Sequence, residues 1–419
     1  MTAAWSATLT DKFSLLLGSQ ALKWALLLAL AALAGHLAQR NSRLPKIIGY
    51  AVVGAVAGWL GLANTGWPLG GIGLFLLEIG LAVALFEAGA RLSLPWLRHN
   101  PMVLVQSAAE SLLTFAAAFL SLRALGLDLP VVRALSVIAV AASPAVLLRV
   151  MQDLRANGPI ADRALALATL NTFYALTIGT AMLHTIDRGG DTLLASVASS
   201  LAVLGISLLC GAALASLLAA ALRVLHPSSE DTAIVVLALL AVCAGVTAPL
   251  GGSAPLAALL GGVLLKQWHP RPWVWPRQLG TAASMLNILM FVLVAATAAQ
   301  AGWGGAIALL AAAALVAARL LAKVAGILAT GAGSGMALKK SFWVGVTMMP
   351  MSSVALLLTS QFVAASHTIG AQVSAIALPV ILVTELLGAA LVTLAFYRAG
   401  EASLAQPGRA PAAGEETPS

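Results

Sequence analysis

Ser143-Pro144-Ala145 and Met349-Pro350-Met351-Ser352-Ser353 interrupt two otherwise apolar stretches, one in each half of the 419-residue chain. Proline has no backbone donor and its ring collides with the preceding turn, so Pro144 and Pro350 mark helix breaks. In lipid, a broken helix persists only where the freed backbone groups face protein, water or a bound ion. Interrupted helices at matching places in two halves point to a solute site near the membrane midplane. Ser143, Ser352 and Ser353 then become candidate ligands through their hydroxyl oxygens.

Composition supports a membrane setting for those breaks. Sixty per cent of the residues are hydrophobic and 9% charged, and the mean hydropathy is +0.97, whereas soluble domains carry about 25% charged residues. A hydrocarbon core of about 30 Å needs about 20 apolar residues per helix. The chain offers about thirteen such segments: 20–39, 46–64, 72–91, 102–124, 132–150, 162–184, 192–223, 232–249, 252–267, 279–299, 304–330, 339–361 and 371–397. The breaks fall in the fifth and twelfth. No ten-residue alternation of the kind a barrel needs is present.

The cations give an orientation. Of 23 Lys and Arg, 16 lie after odd-numbered segments or in the tail: Arg40, Arg43, Lys46, Arg91, Arg98, Arg149, Arg155, Arg163, Arg223, Lys266, Arg271, Arg277, Lys339, Lys340, Arg398 and Arg409. The other side holds Lys12, Lys23, Arg123, Arg133 and Arg188. The positive-inside rule puts the N-terminus outside and the tail in the cytoplasm. The pI of about 10.0 is thereby a topology signal and calls for no nucleic-acid partner. In the first segment the charge follows the apolar run, unlike a signal peptide, so the segment is expected to be retained. Cys210 and Cys243 lie inside apolar segments, where a small buried residue is the ordinary reading.

Thirteen segments divide into two sets of six joined by segment 7. An odd linker starts the second set from the opposite side, which makes an inverted repeat. Segment 4 is then related to 11, the broken 5 to the broken 12, and 6 to 13. The expected fold is an all-α polytopic membrane protein with two inverted six-helix repeats and crossed broken helices. Residues 1–19 form an extracytoplasmic N-terminal segment, 20–397 the membrane domain, and 398–419, rich in Ala, Pro and Glu, a disordered cytoplasmic tail.

Several motifs carry a resemblance. Leu44-Pro45-Lys46-Ile47-Ile48-Gly49-Tyr50 is similar to the second helix of the monovalent cation:proton antiporter-2 family, which includes the Kef-type potassium efflux systems. Leu77-Glu78-Ile79-Gly80 with Leu85-Phe86-Glu87-Ala88-Gly89 resembles that family's third helix, Leu260-Gly261-Gly262-Val263-Leu264 its ninth, and Arg319-Leu320-Leu321-Ala322-Lys323 its eleventh. The likeness covers residues 20–397 and implies a homodimer, an inverted-repeat core beside a dimerisation scaffold, and elevator-like alternating access. It also implies an ion-binding aspartate in the sixth helix, preceded by Asp, Asn or Gln. Here that dipeptide reads Asn171-Thr172. The aspartate is absent, while Asn and Thr still offer an amide and a hydroxyl oxygen.

A charged residue at the centre of a membrane helix costs about 2.5–3.5 kcal/mol, which makes each one a functional candidate. Glu110 in segment 4, Arg319 and Lys323 in segment 11 and Glu385 in segment 13 qualify, and their charges cancel. Arg319 and Lys323, four apart, share a helix face. Glu110 is expected to neutralise one of them, since buried charges are normally paired. Glu385, related by symmetry to the helix lacking its aspartate, is either a proton carrier or a hydrogen-bonded structural group.

Other features have packing explanations. Glu78 and Glu87 fit helix or dimer contacts, and Asp162 fits a helix start. Gly54 and Gly58 form a small-xxx-small face for close helix approach, and tryptophans such as Trp59, Trp96, Trp268 and Trp343 fall near segment ends as interfacial anchors do. The scattered histidines lack metal-ligand spacing. Neither a phosphate loop nor a nucleophile–base pair is present, so no enzymatic activity, cofactor or resident metal is expected.

The expected function is secondary transport at an inner membrane: exchange of a monovalent cation, Na⁺ or K⁺, for protons, with the bilayer as surroundings. Two other readings stay open: a carrier of the same fold using Arg319 and Lys323 to move a small anion or organic solute, and a non-transporting membrane sensor. Pairing discriminates them. A cation site needs a carboxylate reaching Thr172, an anion site a free guanidinium or ammonium there.

Overall fold

The structure, a computed structural model, describes residues 20–42, 44–63, 66–188, 193–226, 229–268, 277–300, 305–351 and 353–402. Among these the chain is helical. The helices are α1 (Gln20–Ser42), α2 (Lys46–Trp59), α3 (Gly71–Arg91), α4 (Leu94–His99), α5 (Met102–Ala124), α6 (Leu129–Val140), α7 (Pro144–Leu154), α8 (Pro159–Arg188), α9 (Leu193–Val224), α10 (Glu230–Thr247), α11 (Ala254–Trp268), α12 (Arg277–Gln300), α13 (Ala306–Gly331), α14 (Leu338–Thr347), α15 (Ser353–Ala365) and α16 (His367–Ala399).

Each expected segment is helical, and the fifth and twelfth are split at their prolines. Ten spans are long and apolar enough to cross a membrane, with α6 and α7 taken together as Leu129–Leu154. The expected thirteen adds α2, α11 and the α14–α15 pair, whose members are shorter. Local chemistry shortens α2, which starts behind Pro45 and ends at Trp59, two residues before Gly61, whose φ of +68° lies in the left-handed region. The outward faces carry large apolar groups, with Leu194 80%, Leu209 73% and Ile72 78% exposed, as lipid contact requires.

The first break is a designed terminus as well as a proline effect. Pro144 opens α7 at a position whose N–H has no helical partner anyway, and Ser143 Oγ caps it by accepting from Val146 N at 3.4 Å. The second break runs from Met348 to Ser353; of its residues Ser352 lies outside the described set.

Packing separates two groups of helices. In the first, α2 lies against α12 and α3 against α11. A side chain at Gly58 would meet Ala296 O at 2.2 Å, so the glycine is what lets α2 and α12 touch backbone to backbone. In the second, α5 packs on α13, with the broken helices, α8 and α16 around them. There a Cβ at Gly326 would lie 2.6 Å from Glu110 Cα, so this glycine brings α13 against α5 at the buried carboxylate.

A polar clasp joins the two groups at one end. Arg149 of α7 donates to Tyr50 OH at 3.0 Å and to Ser284 Oγ at 3.3 Å. Asp153 accepts from Lys46 N at 3.0 Å and pairs with Arg149 at 3.4 Å. The Leu44–Tyr50 motif therefore ties the scaffold-side helices to the broken one. Arg149 and Arg163, read from the sequence as loop cations, are instead buried in α7 and α8, where Arg163 donates to Gln106 Oε1 at 3.2 Å. Likewise residues 398–402, expected in the tail, finish α16 and its cap. Glu401 accepts from Ile160 N and Ala161 N at 2.8 and 2.9 Å, filling the free donors at the start of α8.

Candidate ion-exchange site

Glu110, Asn171, Thr172, Arg319, Lys323, Ser353 and Glu385 all have no exposed surface. Lys323 Nζ donates to Glu110 Oε1 at 2.5 Å. Of the two cations that the sequence offered to Glu110, Lys323 takes it. The other carboxylate oxygen, Oε2, accepts from Asn171 Nδ2 at 2.5 Å, and Thr114 Oγ1 donates to Oε1 at 3.2 Å. Asn171 is held in that orientation because Ser107 and Ser111 both donate to its Oδ1, at 3.1 and 3.0 Å. Its amide oxygen is thus occupied by hydroxyl donors. A carboxylate from α5 reaches the position beside Thr172 where α8 lacks one.

Arg319 has a different task. One Nη donates to Ala139 O at the end of α6, and the other points at Met348 O, Met349 O and Pro350 O, each at 3.3 Å. Lys323 also approaches Val140 O at 3.4 Å. These carbonyls close α6 and follow α14, so both half-helices bring their negative ends to α13. The guanidinium's planar fork can serve both breaks at once.

A threonine of the long helix that follows stands beside each break, and at the first it donates to the break itself. Thr172 Oγ1 donates to Ala142 O at 2.9 Å. Thr384 Oγ1, one residue before Glu385, lies nearest Val380 O of its own helix at 2.8 Å, with Met351 O of the break at 3.1 Å. Sequence reasoning missed Thr384, and also Ser107, Ser111 and Thr114; the spacing of the last three from Glu110 on one helix was the available signal. Of the serines singled out, Ser143 caps α7, whereas Ser353 Oγ is buried with no hydrogen-bond partner among the described residues. Pro350 is packed by Gly388 of α16, where a Cβ would lie 2.9 Å from its Cα.

A cavity of about 680 Å³ leads toward this centre from the end carrying Arg91, Asp162 and Lys266. It runs between α3 and α11 on one side and α7 and α8 on the other, and Thr169, one turn from Thr172, lines it. A buried ion pair, two helix breaks offering carbonyls and hydroxyls, and a cavity that reaches within one turn of them are thus gathered in one region.

The family model described as sodium/hydrogen exchanger, transmembrane, matches residues 25–396. The chain belongs to the sodium/hydrogen exchanger family. It is a membrane transporter of the cation/proton antiport class, within a transporter family and not an enzyme family. The match gives the exchanger family without the Kef-type branch to which the motifs pointed. The fold is similar to that of the sodium proton antiporter MjNhaP1 from Methanocaldococcus jannaschii at pH 8, at 17% identity and a TM-score of 0.67, over 90% of this chain and 97% of that one. An electron-microscopy structure of the same antiporter agrees at 17% identity and a TM-score of 0.65, over 90% and 94%. A sequence comparison with curated proteins gives no match.

Proposed function

We propose that this chain exchanges one monovalent cation, Na⁺ or K⁺, for one proton at the Glu110–Lys323 pair. The observation that carries the reading is the position of Glu110, which bonds Asn171 beside Thr172 and Lys323 at once. In the proton-loaded state, ammonium and carboxylate neutralise each other. When a cation arrives, it takes the carboxylate, Lys323 gives up its proton to water, and the neutral amine remains. The charge of the site is the same in both states: +1 and −1 with the proton, +1 on the cation and −1 with it. Antiport is therefore electroneutral, one for one. Thr172 and Ser353 hydroxyls and the break carbonyls supply further oxygens to a partly dehydrated cation.

The packing supports two inverted repeats, since α3 on α11 and α2 on α12 are the two pairs that a swap of the halves exchanges, and α5 on α13 maps onto itself. The remaining assignments follow from the charge bias and the resemblance: N-terminus outside, tail cytoplasmic, inner membrane, homodimer. An anion reading has less to stand on, because both Nη groups of Arg319 are engaged by carbonyls and Lys323 by Glu110.

The test uses purified protein in liposomes with a pH gradient. Adding Na⁺ or K⁺ is expected to move protons in wild type and not in Glu110→Gln. Proton movement driven by organic or inorganic anions, and unaffected by Glu110→Gln, would overturn the reading.

A further inference from the structure

Threonine in a membrane helix ordinarily returns its hydroxyl to the carbonyl four residues back. Thr169, Thr247, Thr330, Thr359 and Thr393 all do so, at 2.7 to 2.9 Å. Thr177 and Thr180 of α8 do not. They are 8% and 7% exposed, and neither Oγ1 has a partner among the described residues. Burying a hydroxyl unpaired is costly, so this arrangement calls for a state in which the cost is relieved.

Their position indicates which state. At 3.6 residues per turn, Thr169, Thr172, Thr177, Thr180 and His184 fall within about 140° of the circumference of α8. Thr169 lines the 680 Å³ cavity at one end of this face. Thr172 lies at the first break. At the other end His184 Nε2 lies 3.2 Å from Gly251 O, in the turn between α10 and α11. Thr177 and Thr180 thus continue the face of the open cavity past the exchange site, and the His184–Gly251 contact closes it. Ile178, between them on the opposite face, is 50% exposed and lines an apolar groove.

We propose that Thr177 and Thr180 form the outer half of the ion path. Their hydroxyls are unpartnered while the cavity side is open, and they contact water and the departing or arriving monovalent cation when the opposite side opens. The His184–Gly251 contact is the closure that breaks. This rests on the antiport reading for the identity of the ion, though not for the existence of the path.

The experiment starts from a Cys210→Ala, Cys243→Ala background whose cation-dependent proton flux is measured first. Thr177→Cys, Thr180→Cys, Thr169→Cys and Ile178→Cys are then exposed in sealed vesicles to a charged, membrane-impermeant thiol reagent from either side. Thr177→Cys and Thr180→Cys are expected to react from the side bearing His184, at a rate that changes several-fold with cation or pH gradient. Thr169→Cys should react from the cavity side, and Ile178→Cys from neither. In parallel, Thr180→Val should raise the KM for the cation while Thr180→Ser keeps it. Failure of both cysteines to react from the His184 side, with Thr169→Cys reacting normally, would overturn the proposal, as would reaction only from the cavity side or an unchanged KM in Thr180→Val. Sided labelling in a background that shows no cation-driven proton flux would keep the path and refute the antiport reading.

Discussion

The two helix breaks are built alike and serve differently. Each has a proline and a threonine of the following long helix beside it, Thr172 donating to Ala142 O and Thr384 lying between Val380 O of its own helix and Met351 O. Arg319 reaches both. The residue next to the threonine separates them. At the first break it is Asn171, wired to Glu110 and through it to Lys323; at the second it is Glu385, buried on α16. On the proposed reading, the symmetric parts hold the crossing together and the asymmetric part does the exchange. Where the resemblance implies a carboxylate on the sixth membrane segment, Glu110 of the fourth bonds Asn171.

The sharpest break of this comparison is Glu110→Gln. It leaves Lys323 buried opposite a neutral amide, so stability should fall by about 3–5 kcal/mol and cation-driven proton flux should vanish. Adding Lys323→Met should return much of the melting temperature in detergent and none of the flux. A single variant that melts like wild type, or a double variant worse than either single one, would dissolve the pair.

Arg319→Lys comes next. The ammonium keeps the charge but cannot span Ala139 O and the three carbonyls of the second break. The loss of hydrogen bonds to a charged donor is expected to cost about 1.5–3 kcal/mol and to lower transport through misplacement of both breaks, read as a lower melting temperature with Glu110–Lys323 intact.

Thr172→Val and Thr384→Val test the symmetric parts against each other. Thr172→Val leaves a break carbonyl short of a donor, for a loss of about 1–3 kcal/mol in thermal unfolding, whereas Thr384→Val, whose hydroxyl lies nearest its own helix's Val380 O, should cost less. Transport should suffer more in Thr172→Val, which also removes an oxygen beside Asn171. Equal transport losses would mean that the two breaks share the exchange.

The smallest expected effect is Glu385→Gln. If exchange belongs to the first break, cation-driven proton flux stays near wild type in this variant. Complete loss of flux with normal folding would move the proton carrier to α16.

Much of this was legible in the sequence because lipid makes it expensive to hide anything else. Proline within an apolar run marks both breaks, and charges that cost several kcal/mol at the helix centre identify Glu110, Arg319, Lys323 and Glu385 without a structure. What stayed hidden is geometry at the scale of one turn. Arg319 and Lys323 lie on one face, so only depth decides that Lys323 meets Glu110 while Arg319 takes the carbonyls. Hydroxyls are harder still: Ser107 and Ser111 orient Asn171, Thr169 merely bonds its own helix, and in sequence all three look the same. Arg149 and Arg163 were misread because span boundaries shift by a turn, which is enough to turn a loop cation into a buried one. Glu401 looked like tail, since nothing in its neighbours announces the two free N–H groups of α8 that it fills.

The central claim is that Lys323 releases its own proton when a cation takes its place at the Glu110 carboxylate, and Lys323→Arg tests it most directly. Arginine keeps the ion pair but is not deprotonated in proteins. In wild type, apparent cation affinity should rise with pH by about tenfold per unit until the pair's proton is lost, as one-proton competition requires, with one proton moved per cation and no dependence on membrane voltage. Lys323→Arg should fold and melt like wild type yet show no cation-driven proton flux in liposomes at any pH tested. Flux at the wild-type rate and stoichiometry in Lys323→Arg would contradict the account.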